Sequence, residues 1–282
     1  MTAEFVGAFS LVFVGAGAVT ILGFRPDVPG MVGIALAHGL ILAVMVSNLG
    51  HISGGHFNPA VTVGAWVAGK IETVRALLYI VAQFVGAAAG AGLLRLALPE
   101  RIWKQTKLGL PTVGHQFGIS TPKALVLEAV FAFFLVFTVF AVAIDDRGTF
   151  KSVAGFPIGL VLAVDILVGG FLTGASVNPV RSFGPALLTG EWKDFWIYVA
   201  GPLAGGIIAA SIYWFSFLRG RVVVAPRTET PIGGGPEEDL PAMPGGDESL
   251  DEDISDEDLS AGRPASPTGD VRPEGPSPED LP

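Results

Sequence analysis

One short stretch occurs twice in this chain of 282 residues. The first copy reads Gly50-His51-Ile52-Ser53-Gly54-Gly55-His56-Phe57-Asn58-Pro59-Ala60, the second Gly170-Phe171-Leu172-Thr173-Gly174-Ala175-Ser176-Val177-Asn178-Pro179-Val180. In both, an apolar run breaks at glycines and restarts as a helix at Asn-Pro. Proline suits the first helical position because its missing N–H would be unpaired there, and asparagine caps well just before it. The apolar stretches that follow, about 58–68 and 178–188, are too short to cross a bilayer core of about 30 Å. Lipid admits non-helical backbone at depth only where protein or a water-filled cavity covers it. Both breaks are therefore predicted to be re-entrant loops buried in a helix bundle.

Six other segments have the length and apolarity of spans: about 3–23, 31–49, 71–98, 123–144, 153–169 and 195–218. Setting Asn58 on Asn178 also pairs Gly50 with Gly170, Ser53 with Thr173, Gly54 with Gly174 and Gly64 with Gly184. Glu4 and Glu128 open the first span of each half at a slightly larger offset. Each half, about 1–100 and 121–220, carries three spans, an odd number, so the second half is inverted relative to the first. The predicted fold is an all-α membrane protein: six transmembrane helices plus two re-entrant half-helices whose amino ends meet near the midplane.

Composition divides the chain in two. Residues 1–220 hold 13 Lys/Arg against 10 Asp/Glu; residues 221–282 hold 4 Arg against 16 Asp/Glu and carry the overall net charge of −9. The acidic, Pro/Gly/Ser-rich tail has too few large apolar residues to offset the entropy of ordering and is predicted to be disordered. A solvated tail is the main reading; a regulatory segment around Ser249, Ser255 or Ser260 is the alternative. With no cysteine, disulfides and thiolate metal sites are excluded. Met1-Thr2-Ala3-Glu4 lacks a basic n-region, so no secretory signal is predicted. The loop cations do not orient the chain: Lys70, Arg75, Arg147, Lys151 and Arg219 fall on the side of the termini, seven others on the opposite side.

The doubled Asn-Pro motif, the run His51–Ala60 and the sequence Arg-Ser-Phe-Gly-Pro at 181–185 resemble the aquaporin (major intrinsic protein) family over about residues 1–218. The resemblance implies a pore in every protomer, a homotetramer and an integral, multi-pass protein, here expected in the plasma membrane. It places Arg181, the only charged residue in either re-entrant segment, in a narrow selectivity filter with His38, Ile166 and Ala175. That set is similar to the filters of plant tonoplast-type members, associated with water plus ammonia and sometimes urea. His115, in the long loop, lies where some of those channels carry an extra filter histidine. Glu4 and Glu128 are implied at the cytoplasmic-side ends of pore-flanking spans, accepting hydrogen bonds from the re-entrant backbones. Ser182 and Ala186 stand where glycerol facilitators carry an Asp and a basic residue, which disfavours glycerol. Val180 departs from the motif's alanine and puts the midplane width in question, and Tyr198-Val199 departs from an aromatic pair.

Elementary electrostatics agrees with a channel. Each half-helix carries about half a positive charge at its amino end, so two facing ends oppose cations and protons. Asn58 and Asn178 can aim N–H donors at passing water. Gly54, Gly55, His56 and Phe57, with Gly174 and Ser176, would supply a ladder of pore carbonyls. One Asn-Pro copy could merely cap a buried helix; two inverted copies argue against that. His51 and His56 lack a third ligand, so no metal is expected. The absence of a Ser-His-Asp set or a phosphate-cradling loop points to no enzyme, no cofactor and no nucleic-acid partner. The function expected is passive passage of water, with ammonia or other small neutral solutes. A glycerol or urea facilitator and an ion-coupled secondary transporter are the alternatives. Asp165, a carboxylate within the fifth span, is the transporter's one eligible coupling group and could pair with His115 or a loop lysine.

Overall fold

In the computed structural model, residues 1–25, 30–148 and 151–219 are described, and all regular structure among them is helical. The acidic tail of the sequence reading lies outside the described residues. Helix α1 spans Thr2–Phe24 with a π-helical stretch at Leu11–Ala16; α2 is Gly30–Ser53; the half-helix α3 is Pro59–Val67; α4 is Thr73–Ala97. A short helix at Glu100–Gln105 and 3-10 turns at Lys107–Gly109 and His115–Phe117 lead into the second half. There α5 is Thr121–Ile144, α6 Gly155–Gly169, the half-helix α7 Pro179–Thr189 and α8 Ile197–Leu218.

The order span, span, half-helix, span thus occurs twice, as the repeat required. Among the described residues, five helices are long and apolar enough to cross a bilayer. The fifth expected span falls short: α6 has 15 residues, about 22 Å at 1.5 Å per residue. A 3-10 turn at Lys151–Val153 precedes it, and a turn over Gly170–Thr173, beginning the re-entrant loop, cuts it off. The outward face of α2 is apolar: Val32, Leu36, Leu40 and Val44 repeat at helical spacing and stay exposed.

Small residues set the packing, since close backbone approach rather than hydrophobic force drives helix association in lipid. Helix α1 packs on α4 and α5 on α8. A Cβ on Gly86 would lie 2.3 Å from the Phe5 carbonyl, and one on Gly205 would lie 1.9 Å from that of Ala129. The half-helices cross over. Gly64 of α3 sits on the Gly206 carbonyl of α8, and Gly184 of α7 on the Ala87 carbonyl of α4. Each half-helix is therefore seated on the last span of the opposite half.

Candidate functional site

Each re-entrant loop is held by one buried carboxylate, and the two arrangements repeat. Glu4 Oε1 accepts from the Ser53 hydroxyl (2.6 Å) and the His56 N–H (3.0 Å), and Oε2 from the Phe57 N–H (2.7 Å). Glu128 Oε1 accepts from the Thr173 hydroxyl (2.6 Å) and the Ser176 N–H (3.0 Å), and Oε2 from the Val177 N–H (2.8 Å). Both carboxylates are fully buried, and such ions persist in apolar surroundings only when hydrogen-bonded in this manner. Three membrane crossings separate Glu4 from Glu128, so the two lie toward opposite faces. The expectation that both sit on the cytoplasmic side is thereby corrected.

The residue each carboxylate grips last is strained. Phe57 (φ 49°) and Val177 (φ 59°) occupy the left-handed region, an outlier for a β-branched side chain and worth about 1–3 kcal/mol of strain each. The twist turns each carbonyl toward the other loop. Asn58 Nδ2 donates to the Val177 carbonyl (3.1 Å), and Asn178 Nδ2 to the Phe57 carbonyl (3.0 Å). At the same time Asn58 Oδ1 accepts from the Ala60 N–H and Asn178 Oδ1 from the Val180 N–H, capping α3 and α7. The two half-helices therefore meet tip to tip, tied by reciprocal bonds between residues about 120 positions apart. The sequence reading aimed both amide donors at water. In the structure one N–H of each is engaged across the junction, and the Phe57 carbonyl, expected among the pore acceptors, is taken by Asn178.

Beside this junction lies a narrow cavity that leaves about 20 Å³ for the centres of water molecules, room for one or two waters. One wall is polar: Gly55 to Asn58, Ser176, Asn178, His38 and Arg181. The other is apolar, with Leu42, Leu135, Ile158 and Leu162 prominent. Most lining residues are repeat partners: Leu11 with Leu135, Leu42 with Leu162, His56 with Ser176 and Asn58 with Asn178. Two pairs break the symmetry. Arg181 answers Val61, and His38 answers Ile158. The polar pair is thus built at one end only, where its counterpart at the other end is apolar.

At that end Arg181 Nε donates to His38 Nε2 (3.3 Å), and Arg181 Nη1 donates to the Gly109 carbonyl (2.8 Å). Because Nε2 accepts, the ring proton is assigned to Nδ1, which donates to the Ile34 carbonyl (2.9 Å). Both side chains are buried. The other two expected filter members are buried but absent from the cavity wall. Ile166 lies one turn beyond Leu162 on the same face of α6, and Ala175 packs beside Gly169.

Several expectations are redirected. His115 is half exposed at the outer rim, bonded to the Ile119 carbonyl and facing Asp194 at 3.3 Å, and does not reach the cavity. Gly54 belongs to the mouth behind His56, and Gly174 packs on Pro111. The His56 ring turns aside onto the Thr62 hydroxyl (3.1 Å) and edge-on to Tyr79. Val180 does not narrow the midplane: its side chain is fully buried in an apolar cluster with Val12, Ala16, Ala91, Leu94 and Leu108. Ser182 is bonded to Ser176 (2.5 Å), and Ala186 is buried away from the cavity. Asp165 pairs with neither His115 nor a lysine among the described residues; its Oδ2 is buried without a hydrogen-bond partner. Three roles escaped the sequence reading. Gln83 Nε2 joins Glu4 (2.7 Å) to Thr62 (3.0 Å), the Tyr198 hydroxyl donates to the Thr173 carbonyl (2.8 Å), and Gly109 receives Arg181. For Gln83 there was a signal, a lone amide in an apolar span.

An inverted repeat with abutting half-helices beside a narrow cavity defines a membrane channel. The comparisons with known proteins agree. The major intrinsic protein pattern matches residues 1–213. A probable TIP-type aquaporin of Medicago truncatula is 40% identical over 234 residues, 80% of this chain and 90% of its own length. Aquaporin TIP1-1 of Zea mays is 43% identical over 222 residues, 77% of this chain and 86% of its own. The solved structure of the aquaglyceroporin from Plasmodium falciparum shares the fold, with a TM-score of 0.66 at 22% identity over 75% of this chain and 93% of that one. The chain belongs to the major intrinsic protein family, as an integral, multi-pass membrane protein.

Proposed function

We propose that the chain conducts water passively and lets ammonia and other small neutral solutes through the same path. The observation that carries this reading is the cavity wall itself: Asn58 and Asn178 joined at the tips of two half-helices, with Arg181 and His38 at one end. Water exchanges a few water–water hydrogen bonds for these fixed groups and meets an apolar wall opposite, so the barrier stays low. Cations and protons meet two positive helix ends and the guanidinium of Arg181.

In proteoliposomes, stopped-flow light scattering should show rapid osmotic shrinkage with an activation energy near that of free water diffusion. A temperature dependence as steep as that of bare lipid would refute the reading. The same preparation tested with ammonia and glycerol ranks the solutes. An ion-coupled transporter is disfavoured because the cavity wall contains no carboxylate among the described residues; saturable, gradient-coupled uptake would reverse that judgement. The fit to a glycerol or urea facilitator depends on the constriction, where Arg181 and His38 lie 3.3 Å apart. The homotetramer that the family pattern implies and a plasma-membrane location complete the proposal; cross-linking and membrane fractionation test them.

A further inference from the structure

The third position of the second motif and the long loop come together at one place. Val180 and Arg181 are successive residues on the first turn of α7, and Leu108 and Gly109 are successive residues of the loop. Arg181 Nη1 takes the Gly109 carbonyl. Val180 and Leu108, both fully buried, share one apolar cluster, and α7 packs against the Lys107–Gly109 turn. Two neighbouring residues of the half-helix are thus tied to two neighbouring residues of the loop, one pair through membership of the same apolar cluster and the other through a charge-assisted hydrogen bond.

The loop turn is closed by two backbone hydrogen bonds, Gly109 N–H to the Thr106 carbonyl and Leu110 N–H to the Lys107 carbonyl (both 3.0 Å), yet it is strained. Lys107 (φ 49°), Leu108 (φ 53°) and Gly109 (φ 71°) are three consecutive residues in the left-handed region, and the two with side chains are strained there by about 1–3 kcal/mol each. Such a turn persists only where its surroundings over-determine it. Leu108 is anchored in the cluster, Lys107 meets Glu191 (3.3 Å), and a Cβ on Gly109 would lie 2.4 Å from the Ala16 carbonyl. A carbonyl presented by such a turn holds the guanidinium at one depth in the cavity.

We infer that Leu108 and Val180 are positioning residues for selectivity: their packing fixes the Gly109 carbonyl and, through it, the Arg181 side chain that narrows the channel. This rests on the reading of Arg181 and His38 as the constriction. It gives Val180 a role that alanine, two methyl groups smaller, would fill less well. Without Leu108 the turn relaxes toward ordinary φ, the carbonyl withdraws, and the guanidinium swings more freely.

The test compares the full chain with Leu108→Ala, Leu108→Met and His38→Ala in proteoliposomes. The readout is the ratio of urea to water permeability, which cancels differences in the amount of folded protein. Leu108→Ala should raise the ratio at least about threefold, and Leu108→Met, which conserves volume, should restore it to within about 1.5-fold of the parent. Val180→Ala should raise it less than Leu108→Ala, and the double variant should fall short of the product of the two. His38→Ala separates the failures. If it raises the ratio while Leu108→Ala does not, the positioning role is refuted and the constriction stands. If neither moves it, the constriction reading and the positioning role fall together. Should Leu108→Ala not insert, Leu108→Val is read by the same criterion.

Discussion

Replacing Glu128 by glutamine tests whether the carboxylates build the pore. The amide keeps the size of the side chain but has one acceptor oxygen where the carboxylate has two. At best it still receives Thr173 and Ser176, while its NH2 group faces the Val177 N–H at the place where Oε2 accepted at 2.8 Å. One charge-assisted bond is lost and one buried donor is orphaned. Hydrogen bonds to charged groups are worth about 1.5–3 kcal/mol and unpaired buried donors cost about 1–3 kcal/mol, so with overlap the loss is about 2–4 kcal/mol. At about 2–4 °C per kcal/mol for a chain of this size, the melting temperature in detergent should fall by about 4–16 °C. The damage should also reach the pore. Val177, no longer gripped, can leave its strained φ, and Asn58 then loses the carbonyl it donates to. Water permeability per folded protein should drop with the melting temperature. Thr173→Ser, which keeps the hydroxyl that donates to Glu128 and accepts from the Ala175 N–H, should shift the melting temperature much less. A Glu128→Gln protein that melts within about 1 °C of the parent and conducts water equally well would show that the loop holds itself up.

Two more expectations concern the surroundings of the pore. In Gly15→Ala the new Cβ would lie 2.5 Å from His38 Cδ2, so the ring must move and release Arg181 Nε; the ratio of urea to water permeability should change, and an unchanged ratio would show that the ring yields without disturbing the guanidinium. At the opposite end of the bundle Asp145 accepts from Arg147 and from the Tyr213 hydroxyl (3.0 Å). Arg147 above all, with Tyr213 assisting, brings its carboxyl down from 3.8 to about 2. A depressed acid stabilises the fold fully above its ordinary value and loses that contribution as pH falls through the lower one. Thermal stability should thus decline from about pH 4 toward pH 2, and Asp145→Asn should flatten that part of the profile; an identical profile in the variant would overturn the assignment.

Much of the architecture was legible because lipid leaves few choices. Two Asn-Pro pairs after glycine breaks, each followed by an apolar stretch too short to span, point to buried half-helices, and three spans per half force inversion. The family resemblance implied Glu4 and Glu128 as loop supports, and the repeat pairs Ser53 with Thr173 and Glu4 with Glu128 recur in the same bond. What stayed hidden depends on distances between segments remote in sequence. Nothing in the motif tells that the two asparagines feed each other's loops, nor that Val180 turns toward α1 and α4 instead of the pore. The Lys107–Gly109 turn lies in a tract that read as a charged loop, and its one signal was a large apolar residue, Leu108, among lysines. His115 shows the opposite error, a position transferred from a related pattern whose side chain is spent on Asp194 at the rim.

The exchange of hydrogen bonds at the junction bears on how the molecule is made. The first half emerges from the ribosome with Asn58 and the Phe57 carbonyl lacking their counterparts, and α3 lacking the α8 carbonyl on which Gly64 rests. Its loop must wait, unfinished, until the closing span of the chain has been inserted. The water path is consequently the last thing to be completed in biogenesis, and a chain severed in its middle could regain it only by finding its other half.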